Sequence, residues 1–525
     1  MAYLDAMRKA IVPWRIVSSL AAAAACGTAL AGSVPTTTVI VHGFSPSGKG
    51  AWVQATASAV IARVGGQGTV YRYQDEVGAW TRVPGIGDGS AGHIVLIFNW
   101  DADSGGAEEG PNLGYVQAGG DALHATLRDA TYAPGSTGPA DLVTGRTSHF
   151  IGHSRGACLI SEAILRLGIA GIAVDQMTTL DPHPVNGTLD ARYNLNWGDP
   201  VPQRWSNVAW ADNYWRADGG GLINGLDFDG MPLDSVLNVQ LSESLLNCCA
   251  YSFSHSDVHL WYFGTISLAT GASNGEETVT AQMRSSWWPE GAANVGFARS
   301  AIGGAARPAI SPGIEPSPAL APILHNGNFD GGTRAGWAMH GGSGATLQSE
   351  SGNWFARLSS ARPQLTHNRS YLPAPRDPSR PVQLSMSVRR SGAAGSGDAL
   401  RIEIQGAGDE TATPVPGASW PVSSLGTSFA AVTVPIPSEL CGVTARLHIV
   451  LDGGGNGVAS TVDIDDIVIT VPPRAADLNG DLRIDGADLG ALLAAWGTCS
   501  GCPADISGDG SVNAIDLAAL LAAWG

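Results

Sequence analysis

Five short runs in the N-terminal half of the chain are apolar on both of the faces that a β-strand presents: residues 38–42, 93–100, 148–152, 176–180 and 207–210. Successive side chains of a strand point to opposite sides, so such a run must be covered above and below. Between the runs lie stretches 51–64, 115–129 and 157–167, whose apolar residues recur at three- and four-residue spacing, the period of a helix with one buried face. Strand and helix therefore alternate over residues 36–290, which predicts a mostly parallel sheet with helices on both faces.

A chain of 525 residues is longer than one core sustains, and its pattern changes three times after that domain. Residues 291–322 are rich in Gly, Ala and Pro (Pro308, Pro312, Pro316, Pro318, Pro322) and read as an extended linker. Residues 323–471 carry short alternating runs separated by turn residues, among them 399–405, 428–435 and 444–451, and predict an antiparallel β-sandwich. Pro472-Pro473 closes it. Residues 474–525 hold an internal duplication, in which Asp477, Asp481, Asp488 and Trp496 recur as Asp505, Asp509, Asp516 and Trp524 at a constant spacing of 28.

Residues 1–31 read as a cleaved signal peptide. Arg8, Lys9 and Arg15 precede an Ala-rich apolar run, and Ala29-Leu30-Ala31 offers small residues for cleavage after Ala31. The run is short for a membrane anchor, the rival reading. A formal charge of −17 speaks against nucleic acid and anionic membrane as partners, because both require basic patches. Beyond residue 31 the cysteines are Cys158, Cys248, Cys249, Cys441, Cys499 and Cys502, too few for a disulfide scaffold in a chain this long. Cys499 and Cys502 sit between the repeats as a disulfide or as free thiols, and Cys158 reads as a small core residue.

Gly152-His153-Ser154-Arg155-Gly156 follows one of the apolar runs and opens a helical stretch. A serine nucleophile needs that strand–turn–helix context, with glycines relieving the crowding at the turn. The pattern alone is weak, since Gly271-Ala272-Ser273-Asn274-Gly275 also matches, with no helix after it. Three further elements accompany Ser154 in chain order. Val41-His42-Gly43-Phe44 follows the first strand, Thr179-Leu180-Asp181-Pro182 follows a later one, and His255 precedes Trp261-Tyr262. Together these resemble the lipase and esterase branch of the α/β-hydrolases over residues 36–290, with the Leu-Asp-Pro and His elements most like those of pancreatic-type lipases. The resemblance implies a Ser154–His255–Asp181 triad and an oxyanion hole made by the backbone N–H groups of Phe44 and Arg155. Two alternatives stay open. His259 lies one helical turn after His255, and Asp212 follows on the next strand. His42, His153 and His183 read as supporting residues.

Each copy of the duplication places oxygen-bearing side chains at loop positions 1, 3, 5, 9 and 12, a donor set suited to calcium. They are Asp477, Asn479, Asp481, Asp485 and Asp488 in the first, with the carbonyl of Arg483, and Asp505, Ser507, Asp509, Asn513 and Asp516 in the second, with the carbonyl of Ser511. The pair resembles the type I dockerin, which implies two structural calcium ions and a cohesin-bearing scaffold as partner. Helices 489–495 and 517–523 would pack on each other or present a face to that partner. The sandwich resembles the jelly-roll carbohydrate-binding modules, with Asn326-Gly327-Asn328-Phe329-Asp330 and Gly336-Trp337 as an opening strand and Val462 to Ile469 as a closing one. Polysaccharide is the ligand this implies, and Trp337, Trp354 and Trp420 are sugar-stacking or core aromatics.

The expectation is a secreted, modular serine ester hydrolase acting on lipid or on acylated glycan, needing no catalytic cofactor and held in a complex or at a cell surface. The alternative from another class is a non-catalytic extracellular binding or scaffold protein attached through its dockerin.

Overall fold

The computed structural model describes residues 35–524, less 46–49, 75–78, 102–103, 105–114, 129–136, 140, 187–196, 217–221, 224–225, 228, 247–253, 333, 335, 341–343, 360–362, 368–369, 374, 376, 378, 407–410, 442, 454–456, 480–483 and 500. The expected signal peptide, Cys248, Cys249, Asp481 and Arg483 lie outside these residues.

The N-terminal domain is an eight-stranded sheet. Its strands are β1 (Thr36–Val41), β2 (Thr69–Gln74), β3 (Ala79–Arg82), β4 (His93–Phe98), β5 (Thr147–His153), β6 (Val174–Leu180), β7 (Val208–Trp215) and β8 (Leu237–Gln240). They run in the order β8-β7-β6-β5-β1-β4-β2-β3, parallel throughout except for the edge pair β2–β3. Four helices position the site: α1 (Ala51–Arg63), α2 (Tyr115–Arg128), α3 (Arg155–Ile169) and α4 (Ser254–Ile266). Alternate residues of the same strands feed two cores. Val39, Val41, Leu96, Phe98 and Phe150 pack with Leu123 of α2 and Leu159 of α3. Ile40, Val95, Ile97 and Ile151 pack with Val53 of α1 and Val258 and Trp261 of α4. Each fully buried side chain of this size contributes about 1.5–3 kcal/mol, which is why runs apolar on both faces select this layering. No described helix is long and apolar enough to cross a membrane.

Residues 291–322, expected as an extended linker, make contacts with the N-terminal domain. Phe297 is fully buried in the N-terminal core, and Ile314 bridges Trp205 as a short parallel extension. Arg307 pairs with Asp175 at 2.7 Å, and the indole of Trp210 donates to the carbonyl of Pro308 at 2.9 Å. Between two short 3-10 turns, Gly296–Arg299 and Pro318–Leu320, the segment is without helix, and its backbone and its one large aromatic find partners along the domain.

The sandwich follows from β9 (Trp337–His340), β10 (Ala345–Glu350), β11 (Asn353–Ser359), β12 (Gln364–His367), β13 (Ser370–Leu372), β14 (Gln383–Arg390), β15 (Ala399–Gly406), β16 (Thr413–Pro421), β17 (Ala430–Pro435), β18 (Val443–Asp452) and β19 (Thr461–Thr470). One sheet runs β9-β12-β18-β15-β16, with β13 also on β18, and the other β10-β11-β19-β14-β17. All pairings are antiparallel, and the inward residues of both sheets form one apolar core. The expected opening strand is a turn instead: Asn326 and Phe329 both have a φ of 53°, and the first strand begins at Trp337. Trp337 is buried and donates to the carbonyl of His325 at 3.0 Å, while Trp354 and Trp420 pack partly buried against the core.

The C-terminal repeats each form a loop and a helix, α5 (Gly486–Ala494) and α6 (Ala514–Ala522), joined by the pair β20 (Gly497–Thr498) and β21 (Ser511–Val512). Equivalent residues bury together, Leu492 with Leu520 and Ile484 with Val512, while Leu493, Leu521, Trp496 and Trp524 remain exposed. Cys499 and Cys502 form a disulfide, and Cys158 and Cys441 are free and buried.

Candidate active site

The chain leaves β4 to enter β5 on the far side of β1, so the strand order reverses between β1 and β5. In open parallel sheets that reversal opens a crevice beyond the carboxyl ends of the strands. Register places Val41 beside Gly152 and His153 beside Leu180, so the segments starting at His42, Ser154 and Asp181 emerge side by side there.

Ser154 links β5 directly to α3, with φ 56° and ψ −128°. A serine in this backbone region is strained by about 1–3 kcal/mol and persists only where its surroundings over-determine it. Here they do. Its N–H donates to the carbonyl of Leu180 at 2.9 Å, and its hydroxyl does not cap the helix that it opens. A Cβ added to Gly43 would lie 2.5 Å from Cβ of Ser154, one added to Gly152 would lie 2.7 Å from the Gly156 carbonyl carbon, and one added to Gly156 would lie 2.7 Å from the Val41 carbonyl oxygen. The glycines are thus needed for close backbone approach.

Asp181 shares the strained backbone, with a φ of 45°, and is fully buried. His255, in the first turn of α4, donates from Nδ1 to Oδ2 of Asp181 at 2.6 Å. The other carboxylate oxygen accepts the backbone N–H of Arg216 at 2.8 Å, and the Arg216 guanidinium lies 3.5 Å from the first. Burial pushes Asp181 up to about 7, and the Arg216 charge opposes that shift. Arg216 itself is buried and pairs with Asp229 at 2.9 Å.

The two alternatives occupy other positions. Asp212 lies inside β7, level with Thr178 rather than beyond the strand ends. Its oxygens accept from Thr178 at 2.5 Å and from the Tyr214 hydroxyl at 2.8 Å, and burial raises it to about 6. His259 is buried and stacks on Trp52 with ring centroids 4.4 Å apart. Burial holds it well below the ordinary histidine range, with His153 and His255 adding to the effect. His153 Nε2 donates to the carbonyl of His255 at 3.1 Å, tying the serine's neighbour to His255, and burial lowers His153 to about 3. His42 donates from Nδ1 to the Gly43 carbonyl at 2.8 Å, and His183 to the carbonyl of Asp229 at 2.7 Å.

Phe44 is partly exposed, its ring 5.7 Å from that of Trp197. The Arg155 side chain is buried, grips both oxygens of Asp199 at 2.6 Å and lies 4.6 Å from the Trp197 ring. Sequence reasoning missed Arg216, Trp197 and Asp199. Nothing in their spacing marks them: Trp197 and Asp199 come from one loop and Arg216 from just past the end of β7.

In the C-terminal repeats, Asp516 accepts the N–H groups of Ser507 at 2.8 Å and Asn513 at 2.7 Å, and these amides hold its carboxyl below the usual range. Asp505 accepts from Gly508 and Gly510, so the twelve-residue loop is closed onto its first and last carboxylates. Asp488 takes the same role in the first loop, accepting from Leu478 and Asp485. Among the described residues no three His, Cys, Asp or Glu side chains converge closely enough to hold a metal ion.

No protein-family model and no curated protein sequence matches the chain. Solved structures that it is similar to include the enzymatically active domain of tailspike protein 4 of bacteriophage CBA120, at 14% identity and a TM-score of 0.21, covering 31% of this chain and 23% of that one. The chain thus spans about a quarter of the tailspike domain that it matches. A carbohydrate-binding module specific for non-crystalline cellulose, CBM28, is 16% identical with a TM-score of 0.22, covering 28% of this chain and 93% of the module. A CBM4 module is 14% identical with a TM-score of 0.21, covering 27% of this chain and 99% of the module.

Proposed function

We propose that the N-terminal domain is a serine ester hydrolase of the α/β-hydrolase kind, with Ser154 as nucleophile, His255 as base and Asp181 as the acid that orients it. The observation that carries this reading is the 2.6 Å His255–Asp181 hydrogen bond at the crevice where Ser154 holds its strained turn. With Nδ1–H engaged by Asp181, the His255 tautomer leaves Nε2 free of a proton and able to accept that of Ser154. The alkoxide attacks the ester carbonyl. The N–H groups of Phe44 and Arg155 stabilise the tetrahedral oxyanion, His255 returns the proton to the leaving alcohol, and water repeats the cycle to release the acid.

The substrate class is an ester of a lipid or of an acylated glycan. The protein is secreted after cleavage at Ala31, and its accessory units hold it near a polymer or a scaffold: the sandwich through polysaccharide, the repeats through a cohesin. In the repeats, calcium would bind at Asp477, Asn479, Asp481, Asp485 and Asp488 and at Asp505, Ser507, Asp509, Asn513 and Asp516. Loops already closed on their terminal carboxylates suit a hard cation. Adding calcium to chelator-treated protein is expected to raise the melting temperature of the repeats, and an unchanged melting curve would remove calcium from the reading.

Labelling the full chain with a fluorophosphonate, followed by peptide mapping, tests the enzyme reading. Modification at Ser154 supports it, and an unlabelled Ser154 in folded protein defeats it. A chain-length series of nitrophenyl esters then separates lipid from short-acyl substrates.

A further inference from the structure

We infer that the Arg155 side chain, with Asp199 and Trp197, is a brace that positions both oxyanion donors; this rests on the ester-hydrolase reading of Ser154. The guanidinium uses its planar fork in full. Nε and one terminal nitrogen donate to the two Asp199 oxygens at 2.6 Å each, and the other donates to the Ser104 carbonyl at 2.7 Å. Two indoles flank it, Trp197 at 4.6 Å and Trp100 at 5.4 Å from ring centroid to guanidinium carbon.

The partners belong to two segments bordering the serine, Trp100 and Ser104 to one and Trp197 and Asp199 to the other, and each holds a further part of the crevice. Ser104 accepts the N–H of Ser45 on its hydroxyl at 3.1 Å, immediately after Phe44. Trp197 packs its ring against Phe44 itself. Trp100 donates its indole N–H to the carbonyl of His42 at 2.8 Å. Asp199 also accepts the N–H of Val185 at 3.0 Å, a few residues after Asp181. One buried ion pair therefore fixes the donor that follows Ser154 and, through Ser104, Trp100 and Trp197, the loop that carries the donor at Phe44.

A buried ion pair is a poor device for stability alone, since apolar residues of similar volume often do as well. Its value is geometric. Three hydrogen bonds from one rigid plane hold two segments at fixed angles, which a lysine does not reproduce. An oxyanion hole is sensitive to such placement, because its donors act only within hydrogen-bond reach of the developing charge.

The test uses the full chain carrying Asp199→Asn, Arg155→Lys or Trp197→Leu, with active serine counted by fluorophosphonate titration. The expected result for Asp199→Asn is a fall in kcat on the order of 10²-fold with KM nearly unchanged. The inhibition constant of a trifluoromethyl ketone, whose adduct with the serine bears an oxyanion, should rise in step with the loss in kcat/KM. A merely structural role would lower the count of active serines and leave that constant unmoved. Should Asp199→Asn fail to fold, the paired change Arg155→Met with Asp199→Leu removes both charges and is expected to show the same loss. Wild-type kcat per active serine in either variant overturns the brace. Ester turnover that survives Ser154→Ala overturns the enzyme reading beneath it, and the brace with it.

Discussion

The two places where the chain spells Gly-x-Ser-x-Gly have little else in common. Ser154 stands between a central strand and its following helix, buried, with a φ of 56° and flanking glycines pressed against the backbone of β1 and α3. Ser273 lies in an exposed turn, where its hydroxyl donates to the carbonyl of Glu277 at 3.0 Å and accepts the N–H of Gly275 at 3.0 Å. A Cβ added to Gly271 would meet nothing within 4 Å. The same five-letter pattern thus serves a strained crossing at a strand reversal and an ordinary surface turn. What separates them is position relative to the sheet.

The strongest challenge to that contrast is a pair of variants. Ser154→Ala is expected to lower ester turnover by at least about 10⁴-fold, and Ser273→Ala to leave it within experimental error. Equal losses in steady-state assays would erase the distinction. Next in size is the proposed role of Asp181. Asp181→Asn should cost on the order of 10³- to 10⁴-fold in kcat, because the wrong histidine tautomer is then favoured. Asp212→Asn, beside Thr178 and Tyr214, should cost about 1–3 kcal/mol of stability and little activity. A reversed order would move the triad onto Asp212.

Smaller effects test the backbone. Gly156→Ala forces a methyl against main-chain oxygens and is expected to destabilise by about 3 kcal/mol in denaturant titration. Gly271→Ala, in open space with a φ of 82°, should cost about 1–2 kcal/mol through conformation alone. A last, pH-dependent effect concerns His149 on the strand that leads to Ser154. Burial lowers it from 6.5 to about 3. Below its ordinary value the unfolded chain takes up a proton that the folded one refuses, so stability is lost as pH falls from 6.5 toward 3. His149→Gln should remove about 1.4 kcal/mol per pH unit of that acid sensitivity, measured as the difference in unfolding free energy between variant and parent.

The elements that were legible share one property: their sequence period matched their burial. Runs apolar on both faces became β1, β4, β5, β6 and β7, and helix α3 differs from its expected span by two residues at each end. Strands β2, β3 and β8 escaped notice. Thr69-Val-Tyr-Arg-Tyr-Gln mixes polar and aromatic residues, and β3 and β8 are short strands at the two edges of the sheet, so none makes a continuous apolar run. The turn at Asn326–Phe329 was misread as a strand because its Phe is buried like a strand residue, although its backbone is left-handed. What residues 291–322 pack against is not legible in their composition either. Proline content predicts extension, but whether an extended segment is docked depends on the surface beside it.

The sequence by itself determined the order of modules, the both-faces burial that forces a parallel sheet, the duplication at the C-terminus and the chemical cast at the crevice: Ser154, Asp181, His255 and their glycines. These depend on residue type and local period, which are properties of the chain alone. The tertiary structure decided which of the two carboxylates His255 meets, which of the two matching serines is strained, and that Arg155, Asp199, Trp197 and Arg216 surround the crevice. Those are contacts between segments far apart in the chain, and strand order and register bring them together where no spacing along the sequence records the encounter.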